Sequence, residues 1–61
     1  MYVIRFFDSS DCTPMYRYLV LNSRLEYWTY DISKASKFSK SLASELAPYY
    51  HFYNAELCEV Q

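Results

Sequence analysis

The stretch Glu26-Tyr27-Trp28-Thr29-Tyr30-Asp31-Ile32-Ser33-Lys34-Ala35-Ser36-Lys37-Phe38-Ser39-Lys40-Ser41-Leu42-Ala43-Ser44-Glu45-Leu46-Ala47-Pro48 contains a change of period that decides the fold. Up to Tyr30 it is built of Tyr, Trp and Thr, residues that suit a pleated, half-buried strand. From Asp31 onward, Ala35, Phe38, Leu42 and Leu46 recur at spacings of three and four, the signature of one face of a helix. Asp31 and Ser39 both carry side-chain oxygens of the kind that cap a helix N-terminus. The segment therefore reads as a short turn at 32 to 36 followed by a main helix near 40 to 47, with Pro48 as the stop.

Upstream, Tyr2 to Phe7 alternates Tyr2, Ile4 and Phe6 against Val3, Arg5 and Phe7, as a strand does. Asp8-Ser9-Ser10-Asp11-Cys12-Thr13-Pro14 breaks it with turn chemistry that uses Asp and Ser rather than glycine. Tyr16 to Leu21 is a second strand, Asn22-Ser23-Arg24 a tight turn, and Glu26 to Tyr30 a third strand, so the first half predicts an antiparallel meander. Downstream, Tyr49 to Val60 reads as a last strand, best defined from Tyr53, which would pair beside the first. The expectation is an α+β fold, a small antiparallel sheet with one helix packed on one face in the order β-β-β-α-β, with residues 1–61 forming a single domain.

With 61 residues, 52% hydrophobic and 21% aromatic, the chain is expected to fold to roughly 4,200 Å² of surface from about 10,700 Å² unfolded, which allows only a thin core. No apolar run approaches the length of a membrane span. Charge interrupts the first residues before a signal-peptide core could form, and the expected compartment is the cytoplasm. Cys12 and Cys58 match no metal-ligand spacing and are too few for a disulfide scaffold, so both read as reduced thiols. With no glycine in the chain, phosphate-cradling loops of the Walker or dinucleotide type are excluded. No cofactor or metal site is expected.

The run Tyr18-Leu19-Val20, then Tyr27-Trp28-Thr29, Asp31-Ile32, Lys34-Ala35, Lys37-Phe38-Ser39 and Leu42-Ala43 resembles a pattern in small accessory proteins of tailed bacteriophages. The resemblance spans 18 to 46. It implies a viral protein of the host-takeover or anti-defence type, one that binds and inhibits a host enzyme or a bacterial defence complex. It transfers no catalytic residue.

Residue chemistry narrows the site. The inventory for catalysis is His51, Cys12, Cys58 and scattered carboxylates including Asp8, Asp11, Glu56 and Glu59, and a fold this small rarely encloses a substrate, so the chain is expected not to be an enzyme. Glu56 and Glu59 fall on opposite faces of a strand. Lys34, Lys37 and Lys40 recur every three residues and would form a ridge if 34 to 40 were helical. On that ridge rests the alternative function, a nucleic-acid-associated regulatory protein. Seven acids against six bases and a pI of 5.6 argue against it, since phosphate binding needs a net basic surface. The aromatics are the stronger signal. Thirteen rings exceed what a thin core can absorb, and Tyr and Trp are enriched at protein interfaces. The interface candidates are Tyr16, Tyr27, Trp28 and Tyr30 before the helix and Tyr49, Tyr50, Phe52 and Tyr53 after it, with Glu26, Asp31, Lys34, Lys37 and Lys40 as charges that orient a partner. The predicted partner is a host or defence protein, with a homodimer as a further use of the same rings.

Overall fold

In the computed structural model, which describes residues 1–9 and 14–60, four antiparallel strands form one sheet in the order β3-β2-β1-β4. The strands are β1 (Tyr2–Asp8), β2 (Met15–Leu21), β3 (Glu26–Thr29) and β4 (Glu56–Glu59), and helix α1 spans Lys40–Leu46. The meander, the helix and the pairing of the last strand beside the first are as the sequence predicts. Ser10 to Thr13 of the predicted Asp8-to-Pro14 turn, with Cys12, lie outside the described residues.

The β2–β3 hairpin turns without glycine because Asn22 substitutes for it. Its side-chain oxygen accepts from the backbone N–H groups of Arg24 and Leu25, and its own N–H donates to the Leu25 carbonyl. Both expected caps form. The Asp31 carboxylate accepts from the Ser33 N–H at 2.9 Å ahead of a 3-10 turn at Ile32–Lys34. The Ser39 hydroxyl accepts from the Leu42 N–H at 3.2 Å at the start of α1.

Between the 3-10 turn and Ser39 the chain is extended rather than helical. β1 and β2 pair only from Arg5↔Tyr18 to Asp8↔Met15. Where they diverge, Ser36 and Phe38 fill the gap. The Ser36 N–H donates to the Leu19 carbonyl, its hydroxyl bonds both polar groups of Leu21, and Phe38 exchanges two backbone hydrogen bonds with Tyr2. These bonds satisfy backbone groups that a helical turn would have left open on β2. The predicted lysine ridge is therefore absent: Lys34 sits in the 3-10 turn, Lys37 in the inserted strand-like segment and Lys40 at the first position of α1.

The core lies between the sheet and α1. Ile4 and Leu19 are fully buried with Ala43, and Phe38 and Tyr50 complete the cluster, each aliphatic side chain contributing roughly 1.5–3 kcal/mol by leaving water. Because Phe38 precedes the helix, it does not set the helix's phase. Ala43 and Leu46 turn inward and Leu42 is exposed, against the predicted apolar stripe.

A second correction concerns Tyr49 to Tyr53. The sequence predicts strand there, but Ala47–Tyr53 forms two 3-10 turns joined at a kink at Tyr50, and β4 begins only at Glu56. Pro48 sits in the first turn, where its fixed φ and missing N–H cost nothing. Asn54 ends the segment in the left-handed region (φ 56°, ψ 39°), which Asn tolerates better than most residues. The folded chain exposes 4485 Å², close to the roughly 4,200 Å² expected for its mass.

Candidate functional site

Three residues per turn is the geometry that builds the site. A 3-10 segment places residues i and i+3 on one side, so Tyr50 and Tyr53 point the same way, where a strand would have split them. Both meet Trp28 on β3, with ring centroids 5.5 Å and 5.2 Å away. Phe6 of β1 closes the group, 4.6 Å from Trp28 and 4.9 Å from Tyr53. Edge-to-face contacts such as Phe6–Trp28 and Trp28–Tyr50 follow from the ring quadrupole.

Outside this ring cluster lies an open cleft of about 530 Å³, lined by Glu26, Tyr27, Trp28, Tyr49, Tyr50, Phe52 and Tyr53. Six of the eight predicted interface residues thus come together from two separate parts of the chain. Tyr49 (79%) and Phe52 (89%) stand almost wholly in water, and Phe52 is stacked on the equally exposed His51. Tyr50 differs from the expectation. It is a core residue that also lines the cleft, its hydroxyl donating to Glu26 Oε1 at 2.6 Å. Burial, reinforced by that hydrogen bond to a carboxylate, raises its pKa to about 12.

Tyr16 and Tyr30, the other two candidates, lie elsewhere and already carry cations. The Arg5 guanidinium sits 4.0 Å over the Tyr16 ring while its Nε donates to Glu56 at 3.1 Å. The Arg17 guanidinium lies 4.6 Å from the Tyr30 ring centroid, donates to the Tyr30 hydroxyl at 2.6 Å and pairs through Nε with Asp8 at 2.6 Å. Of the predicted steering charges, only Glu26 lines the cleft. Asp31 is engaged by Ser33, whose hydroxyl and N–H hold its pKa below the usual carboxylate range. The three lysines are exposed.

The edge of the sheet runs along the cleft. The hydrogen-bonded pair at Asn22 and Leu25 fixes the alternation of the β2–β3 ladder. Tyr27 and Thr29 consequently bond β2, and the backbone groups of Glu26 and Trp28 point away from the sheet. Sequence reasoning listed the rings without finding the cleft. The missed signal was Pro48 and Asn54, which bracket a short helical segment rather than a strand.

Among the described residues, no group of three or more His, Cys, Asp or Glu gathers where a metal could sit, and no helix is long and apolar enough to cross a membrane. Cys58 is a free, half-buried thiol on β4. Compared with protein-family models, with curated proteins and with solved structures, the chain matches none.

Proposed function

We propose that this protein is a small binding module that docks a partner protein through the Tyr- and Trp-lined cleft beside β3, and that it acts by occluding or locking that partner. The observation that carries this reading is the convergence of Tyr27, Trp28, Tyr49, Phe52 and Tyr53 on one open cleft, with Tyr49 and Phe52 left in water. Leaving Phe52 and Tyr49 exposed has no folding benefit, whereas rigid aromatic anchors at a rim suit an interface. The likeness of 18–46 to phage accessory proteins supports a host or bacterial defence protein as the partner and inhibition as the outcome. Lys34, Lys37 and Lys40 lie in three different local structures rather than on one helical ridge, which weighs against the nucleic-acid alternative.

The test is capture from bacterial lysate with the tagged chain, after nuclease treatment, in parallel with Phe52→Ser and Tyr49→Ser. One stoichiometric protein should be retained by the parent and lost from both variants, whose folds are preserved because the replaced rings contribute little burial. A partner that disappears with nuclease, or that depends on the three lysines and ignores both rings, overturns the reading.

A further inference from the structure

Among the described residues a carboxylate stands beside an aromatic ring in several places, and two of these hold an arginine of the same chain. Arg5 lies between Glu56 and Tyr16, and Arg17 between Asp8 and Tyr30. Another such constellation is Glu26 with the rings of the cleft. Among the described residues it holds no cation: the Glu26 side chain accepts from the Tyr50 hydroxyl on Oε1, and no described Lys, Arg or His lines the cleft. Deepening the binding reading above, on which it rests, we propose that the cleft receives an arginine side chain from an extended segment of the partner protein, the guanidinium pairing with Glu26 and lying against the rings.

Several features favour that occupant. A planar, weakly hydrated guanidinium stacks on rings and bonds a carboxylate at once, which an ammonium does less well. The Tyr50 hydroxyl fixes the Glu26 carboxylate before anything binds, so little side-chain freedom remains to be lost on pairing. The cleft, at about 530 Å³, is larger than one side chain and leaves room for the residues on either side of the arginine. The outward backbone groups of Glu26 and Trp28 offer those neighbours an edge to pair with, as in strand addition.

Trp28 is the only tryptophan in the chain and lines the cleft, so its fluorescence reports on occupancy directly. The full chain is titrated with a blocked pentapeptide of sequence Thr-Val-Arg-Val-Thr and with the same peptide carrying citrulline, the neutral isostere, in place of arginine. Trp28 emission and amide chemical shifts are followed. The arginine peptide should saturate, with shifts confined to 26–30 and 49–53, and citrulline should weaken binding by about tenfold or more. Glu26→Gln, which keeps an acceptor for Tyr50, should weaken it by about the same factor, and Glu45→Gln on the exposed side of α1 should not. Equal binding of the citrulline peptide overturns the proposal, as does an unperturbed Trp28 at millimolar arginine peptide. If lysate capture needs Phe52 and Tyr49 but is indifferent to Glu26→Gln, the docking reading stands and the arginine assignment alone falls.

Discussion

The two faces of the sheet bury apolar side chains by different means. On one, Ile4 and Leu19 disappear beneath α1, Phe38 and the 3-10 segment, in the usual arrangement of a helix layer over a sheet. On the other no second layer stands among the described residues, yet Val3 is fully buried and Val20 nearly so. Val3 stands beside Cys58 in the β1–β4 register, and the inserted segment runs along the other side of β1 where β2 has splayed away. Long side chains on the same face are held down by one another: Arg5 over Tyr16, Tyr16 against Phe7. Among the described residues, this face thus keeps a small dry patch without a helix laid over it.

Substitutions can break that comparison. Leu19→Ala removes packing under a rigid layer that cannot collapse, and the expected loss is the largest, about 2–5 kcal/mol in urea unfolding. Val3→Ala should cost less, roughly 1–2 kcal/mol, from two methyl groups under a cover free to settle. If Val3→Ala proves as damaging as Leu19→Ala, the uncovered face is as rigidly packed as the covered one and the distinction fails.

The smallest effect sharpens the comparison at the rim of the covered face. Tyr50→Phe should cost about 0.5–1.5 kcal/mol at neutral pH, since it removes one hydrogen bond to a carboxylate that stays hydrated. Its pH dependence is more telling. The Tyr50 pKa in the folded protein, about 12, lies above the ordinary tyrosine value of 10.0, so the folded state favours the protonated phenol. The associated stability is fully present below pH 10 and is lost as pH rises toward about 12. Stability measured by denaturant across that window should fall steeply for the parent and less steeply for Tyr50→Phe. Identical slopes would mean that Tyr50 is not held protonated by Glu26 and burial.

The same contrast explains what could be read from the sequence. Elements set by local chemistry were legible: the alternation of β1, the Asn22 turn, and the caps at Asp31 and Ser39. Tyr49-Tyr50-His51-Phe52-Tyr53 misled because five ring-bearing residues in a row carry strand propensity, while the decision was made by Pro48 before them and Asn54 after them. Lys34, Lys37 and Lys40 misled because their spacing fits a helix only if the backbone is one, and the unpaired groups of Leu19 and Leu21 drew the chain into extended form instead. The cleft itself was not legible. It depends on Tyr50 and Tyr53 meeting Trp28 across more than twenty residues of chain, and on Arg5 and Arg17 occupying Tyr16 and Tyr30, neither of which spacing reveals.

The position of β1 at the middle of the sheet has a consequence for biosynthesis. Its first partner, β2, follows it closely, but its second lies far along the chain, Arg5 meeting Glu56 at a separation of 51 residues. A nascent chain still short of β4 can complete the hairpins on one side of β1 while the other side remains an open edge. Such an edge is a template for pairing with other chains. Docking of β4 is thus the long-range event that closes the sheet, and a ribosome paused before residue 56 would hold a species prone to aggregate rather than a smaller version of the native fold.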